Sequence, residues 1–190
     1  MSRRGARSGE WRETAKRGLP RRVPSVPENR THQPALEGAT APFARTCRTT
    51  SPEETVALGK ALGENHPQGG LFYLEGDLGS GKTLFAKGLA SAYGVEPDEV
   101  VSPTFALVNR YGGGSRVVYH IDLYRIETER ELAELGLEEM EEEEATVVVV
   151  EWAEKLGRFR RPQATTVRFS VPNENTREIR ITETLREKMP

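Results

Sequence analysis

The sequence predicts an α/β domain of three layers built around a mostly parallel central sheet. Three observations carry that expectation. Strand-like and helix-like segments alternate from about residue 46 to residue 182, a β-branched run at Thr146–Val150 asks for burial on both faces, and a glycine-rich turn joins a strand to a helix. At 190 residues the chain is long enough for one well-buried domain and too short for two ordinary ones.

Charge divides the chain before any motif does. The net charge of -2 conceals a basic head, with 11 Lys/Arg against 4 Asp/Glu in residues 1–48, and an acidic remainder with 16 against 25. The head is rich in Arg, Pro, Gly and Ser and has few periodic apolar positions, so it cannot repay its ordering entropy, and residues 1–45 read as a disordered basic extension. Arg3, Arg4, Arg7, Arg21 and Arg22 could tether RNA, but only Trp11 offers an aromatic platform, and a solvated tail is the favoured reading. Residues 46–190 are then the folded domain. A single cysteine, Cys47, excludes an intramolecular disulfide and fits a reducing cytoplasm. No apolar stretch is long enough to span a bilayer, and the Arg-rich start lacks the apolar segment of a secretory signal, although a transit peptide stays open.

The elements follow in order. Pro52–Gly63 has helical spacing through Val56, Leu58 and Leu62, with Ser51 as N-cap. Leu71–Glu75 is a short apolar strand, and Lys82–Tyr93 a helix that Gly94 can terminate. Phe105–Tyr111 and Arg116–Asp122 are β-prone runs joined by Gly112–Ser115, the pattern of a hairpin or a short loop excursion. Glu127–Glu144 is an acidic helical region with Leu132, Leu135, Leu137 and Met140 on its apolar side. Strands near Thr165–Val171 and Arg177–Thr182 complete the domain.

Gly76-Asp77-Leu78-Gly79-Ser80-Gly81-Lys82-Thr83 satisfies G-x-x-x-x-G-K-[ST] in full, between a predicted strand and a predicted helix, the context that gives this P-loop motif its meaning. Glycines let successive backbone N–H groups turn toward phosphate oxygens, and the helix N-terminus adds its positive end. Lys82 would neutralise the β and γ phosphates, and Thr83 would offer its hydroxyl to Mg²⁺. The fold class is therefore that of a P-loop NTPase, with ATP and Mg²⁺ as the expected ligands.

Hydrolysis also needs carboxylates at the ends of neighbouring strands. Glu151 follows the apolar run as the acid of a Walker B strand would, although Asp is the commoner choice, and Asp122 ends Val117–Ile121 with equal claim on spacing. We assign Glu151 to the metal shell and Asp122 to orienting the water or metal; either could instead cap the following helix. Ser102-Pro103-Thr104-Phe105 lies where γ-phosphate-sensing switch segments sit, so Thr104 could touch metal or phosphate, or simply belong to a Pro-initiated turn. His120 reads as a packed strand residue, Tyr124 and Arg125 as substrate or partner contacts or sheet-edge caps, and Glu138–Glu144 as a solvated helix face.

Taken together, GDLGSGKT at Gly76–Thr83, SPTF at Ser102–Phe105, YHIDLYR at Tyr119–Arg125, LGLEE at Leu135–Glu139 and VVVVEWAEKL at Val147–Leu156 resemble the TsaE (YjeE) family in words, order and spacing. The resemblance covers about Arg48–Thr182, leaves the basic head outside it, and departs at Met140, where the family often has an aromatic. It implies a slow Mg²⁺-dependent ATPase that supports threonylcarbamoyl transfer to the adenosine beside the anticodon in tRNAs reading codons that start with A. It also implies action with the TsaB and TsaD proteins, tRNA being met in the assembled complex rather than by this chain alone. Carried over residue by residue, it puts phosphate contacts on Gly76–Thr83 and metal ligation on Thr83 and Glu151. Catalytic support falls to Thr104 and Asp122 alongside Lys82 and Glu151, and Trp152 and Arg177 become nucleotide-side or adenine contacts.

Other readings carry less. A small-molecule or nucleotide kinase is the main alternative, yet it needs an arginine-bearing lid, and Arg110, Arg116, Arg125 and Arg130 are dispersed. A GTPase needs Asn-Lys-x-Asp, and Lys-x-Asp occurs nowhere in the chain. A non-enzymatic RNA-binding protein with a relic P-loop would be expected to lose Lys82, Thr83 or Glu151, and all three are present.

Overall fold

A computed structural model describes residues 43–112, 114, 116–143 and 145–184. The expected basic extension lies outside the described residues apart from its last three, Phe43 to Arg45, which open the first strand. Seven strands and four helices follow: β1 Phe43–Thr49, α1 Pro52–Glu64, β2 Gly70–Glu75, α2 Lys82–Ser91, β3 Val108–Tyr111, β4 Val117–Asp122, α3 Glu129–Glu134, α4 Leu137–Glu142, β5 Thr146–Glu151, β6 Thr165–Asn173 and β7 Thr176–Glu183, with a 3₁₀ segment at Ala153–Phe159. They form one sheet in the order β1-β7-β6-β2-β5-β4-β3.

The sheet is mixed rather than mostly parallel, which corrects the sequence expectation. β6, β2, β5 and β4 run parallel to one another, while β3 joins β4 antiparallel at one edge and β7 and β1 add antiparallel at the other. The connections decide this, because β3 to β4 and β6 to β7 are joined by loops far shorter than the dozen or so residues that a parallel crossover needs. β1 itself was not among the expected strands: Phe-Ala-Arg-Thr-Cys-Arg-Thr is an edge strand with mostly exposed or half-buried side chains and carries no apolar alternation to betray it.

Side chains alternate between two cores. Phe72, Leu74, Val147 and Val149 face α1 and α2 together with Leu62, Phe85 and Leu89, whereas Tyr73, Val148 and Val150 face the opposite side with Leu132, Leu137 and Leu156. β5 is buried along almost its whole length, as its β-branched run requires. Ser51 caps α1, its Oγ accepting from the Glu54 amide at 3.1 Å. The acidic helical region is two short helices, because Gly136 takes a left-handed φ of 69° between them. α3 starts in a capping box in which Thr128 and Glu131 satisfy each other's amides. Among the described residues no helix is long and apolar enough to cross a membrane.

Candidate functional site

Parallel pairing places the carboxyl ends of β2, β5 and β4 side by side, the place where open α/β sheets bind ligands. The registers Leu74↔Glu151 and Asp122↔Glu151 bring the end of the glycine-rich loop's strand level with both candidate carboxylates. A cleft of about 330 Å³ opens there, lined by the loop from Leu78 to Leu84, by Ser102 and Thr104, by Asp122 and Tyr124, and by Glu151 and Trp152.

The loop has the local geometry of an anion cradle. Gly76, Gly79 and Gly81 hold φ of 139°, 74° and 104°, and Gly81, the N-cap of α2, offers no side chain to the first-turn amides of that helix. Those amides stay available to an external acceptor, and the helix dipole favours a negative one. Ser80 Oγ, in the same loop, is buried without a hydrogen-bond partner among the described residues. Lys82 Nζ donates to the carbonyls of Gly76 at 2.6 Å and Asp77 at 2.9 Å and lies 4.0 Å from the centroid of the Trp152 ring. Burial pushes the Lys82 ammonium below its usual range, against the pull of Glu151, Glu154, Asp122 and Asp77. A buried cation among free amides, with an unpartnered hydroxyl beside it, suits a polyphosphate.

Two oxygen clusters face that cradle. In the first, Thr83 Oγ1 donates to Glu151 Oε2 at 3.0 Å, and the other carboxylate oxygen, Oε1, sits 2.8 Å from His120 Nε2. In the second, Ser102 Oγ and Thr104 Oγ1 both donate to Asp122 Oδ2, at 2.8 and 2.6 Å, while Oδ1 accepts the Tyr124 amide at 2.9 Å. The switch-like segment is stitched to the end of β4 by backbone as well: Leu107 N–H reaches the Pro103 carbonyl at 2.6 Å, and the Asp122 amide donates to the Leu107 carbonyl at 3.0 Å. Among the described residues no three His, Cys, Asp or Glu side chains gather closely enough to hold a metal by themselves. The hydroxyl of Thr83 beside the Glu151 carboxylate fits a hard cation that takes its remaining oxygens from water and phosphate, as Mg²⁺ does.

Most of the sequence-selected residues therefore meet in one cleft: Leu78, Gly79, Ser80, Gly81, Lys82, Thr83, Thr104, Asp122, Glu151 and Trp152. Gly76 and Asp77 enter through their carbonyls, both held by Lys82. Arg177 does not join them: it lies in β7 opposite Thr49, its guanidinium donating to the Glu174 carbonyl at 2.8 Å, outside the cleft lining. Trp152 takes a left-handed φ of 60°, which aims its ring at Lys82 and at Tyr124, 5.1 Å between ring centroids, so the indole sits at the loop end of the cleft. Two further residues belong to the site. Ser102 shares Asp122 with Thr104, and His120, read as a packed strand residue, is indeed buried but is also bonded to Glu151. The spacing of His120 two residues before Asp122, on one face of one strand, was the available signal.

The class defined so far is a mixed-sheet α/β protein whose glycine-rich anion cradle faces two carboxylates across a single cleft. Comparison with known proteins makes it particular. The family model for TsaE, threonylcarbamoyl adenosine biosynthesis protein TsaE, matches residues 49–179, well over half of the chain, and the chain belongs to that family. Relatives bearing the name tRNA threonylcarbamoyladenosine biosynthesis protein TsaE include one from Bacillus subtilis, 44% identical over 106 residues, which are 56% of this chain and 65% of that protein. One from Rickettsia felis is 34% identical over 66% of this chain and 72% of its own. One from Treponema pallidum is 32% identical over 71% of this chain and 98% of its own. The match thus spans a little under two thirds of the Bacillus relative and almost all of the Treponema one. Among solved structures, Bacillus subtilis YdiB superposes with a TM-score of 0.63 at 29% identity, covering 77% of this chain and 90% of that one.

Proposed function

We propose that this chain has the fold and chemistry of a P-loop NTPase, binding ATP with Mg²⁺ in the cleft and hydrolysing it slowly. In this reading it serves threonylcarbamoyladenosine formation next to the anticodon of tRNAs reading codons that begin with A, in the cytoplasm, with TsaB and TsaD proteins as partners and tRNA met in the assembled complex. The observation that carries the nucleotide half is the 3.0 Å contact between Thr83 and Glu151 at the foot of the Lys82 loop. A hydroxyl and a carboxylate side by side are a donor set that would suit Mg²⁺. Gly76–Lys82 would hold the phosphates, Thr83 and Glu151 the metal, and Asp122 with Thr104 the attacking water. Trp152 would act on the nucleotide side through its contact with Lys82, and Arg177, which does not line the cleft, would meet the nucleotide outside the phosphate cradle. The tRNA half is supported by family membership and by the names its relatives bear.

ATP hydrolysis by the purified chain, alone and with TsaB, TsaD and tRNA, tests both halves when wild type is compared with Glu151→Ala. Stimulation by the partners and its loss in the variant are expected. Hydrolysis in wild type that ignores the partners would refute the pathway, and a Glu151→Ala rate equal to wild type would refute the metal site. The kinase alternative gains nothing from the cleft, since no arginine is among its lining residues.

A further inference from the structure

Glu151 occupies a position where Asp is commoner, and its extra methylene adds a rotatable bond that something must restrain. The structure supplies the restraint from the neighbouring strand. His120 pairs in register with Val149, two residues before Glu151, so it reaches Glu151 diagonally across the sheet on the same face. Its Nε2 stands 2.8 Å from Glu151 Oε1, and the two side chains are 1% and 4% exposed. A carboxylate only accepts, so Nε2 carries the hydrogen in this bond whatever the rest of the ring does. The other ring nitrogen, Nδ1, has no hydrogen-bond partner among the described residues. Packing therefore does not account for the imidazole. It sits on the sheet face of Val118 and Val149, where a leucine would fill similar space without burying an unpartnered polar atom.

We propose that His120 is a positioning residue that orients Glu151 toward a divalent cation. By occupying Oε1 it leaves Oε2, the oxygen beside the Thr83 hydroxyl, as the one presented to the cleft. The role matches the general behaviour of partners that stand behind a metal ligand, fixing its orientation without touching the metal. It rests on the reading of the cleft as a Mg²⁺-nucleotide site.

The test uses the full chain and a fluorescent ATP analogue, titrated in EDTA and over a range of Mg²⁺ concentrations, with a thermal melt of each variant. His120→Leu removes the donor, His120→Asn keeps an amide too short to reach Glu151, and His120→Gln restores a donor at about the original reach. His120→Leu and His120→Asn should raise the Mg²⁺ concentration for half-saturation by about 10-fold or more, the usual effect of losing such a partner. Affinity in EDTA should stay within about 2-fold of wild type, since no phosphate contact is removed. His120→Gln should bring the Mg²⁺ requirement back to within about 3-fold of wild type. The Gln and Asn pair decides the matter if the Leu variant does not fold. Mg²⁺ dependence unchanged in the Asn variant, or a Gln variant no better than Asn, overturns the positioning role. Wild type that binds the analogue without any Mg²⁺ dependence overturns the cleft reading itself, a result distinct from either.

Discussion

Replacing Gly88 by Ala sets a helix-propensity gain against a steric cost, and the structure says which wins. Ala in a helix is favoured over Gly by about 1 kcal/mol. Gly88 lies in α2 where that helix meets α1, and a Cβ there would stand 1.8 Å from the Val56 carbonyl oxygen and 2.7 Å from its carbon. Ordinary contact begins near 3.4 Å, so the helices would have to part by roughly 1.6 Å. The obstacle is helix backbone, which cannot rotate aside as a side chain would. Overpacking of this kind costs about 1–3 kcal/mol, and against immovable backbone the upper end applies. The net loss is then about 2 kcal/mol, worth roughly 6–8 °C in Tm for a domain of this size. Gly59→Ala, whose Cβ would meet the Phe85 carbonyl oxygen at 2.2 Å, should lose less. Circular-dichroism melts of the two variants and wild type check the order. A Gly88→Ala protein melting at or above wild type would show that α1 and α2 do not approach as closely as described.

Lys82→Ala removes the buried cation of the cradle, and nucleotide affinity should fall about 10- to 100-fold, the worth of one charge-assisted contact; fluorescence titration giving unchanged affinity would dismiss the phosphate reading. Thr104→Ala deletes one of three hydrogen bonds on Asp122, leaving those from Ser102 and the Tyr124 amide. Hydrolysis should drop by about 10-fold with affinity within about 3-fold, as for a group acting in the reaction rather than in binding; an equal loss of affinity would make Thr104 a binding residue instead. Burial raises the Tyr93 phenol from 10.0 to about 12, so the folded state holds its proton longer than the unfolded chain does. Stability that is whole below about pH 10 should therefore decline by about 2–3 kcal/mol as the pH rises to 12. Tyr73, raised in the same direction by burial, adds to the decline and Lys82, lowered, opposes it. Comparing urea unfolding of wild type and Tyr93→Phe isolates the Tyr93 part, and parallel pH profiles for the two would refute it.

What was legible in the sequence was what neighbours along the chain decide. The cap at Ser51, the strand, loop and helix that start at Leu71, and the buried run at Thr146–Val150 each depend on a few adjacent side chains and on backbone preferences, and each appears where expected, except that the helix ends at Ser91 rather than Tyr93. The hairpin forms too, although β3 begins at Val108 rather than Phe105, because a short glycine-bearing loop leaves β3 and β4 no choice but to run antiparallel.

The tertiary structure alone decided the rest, and the reason is sequence distance. Thr83 and Glu151 are 68 residues apart, His120 and Glu151 31, Thr104 and Asp122 18. Nothing in a linear pattern says which oxygen of Glu151 faces which partner; that follows from the register of β4 on β5, set by burial over the whole sheet. The existence of β1 depends likewise on an edge pairing with β7 more than 120 residues away. Residue types declared the chemistry of this protein locally, while strand pairing chose which of them act on one another.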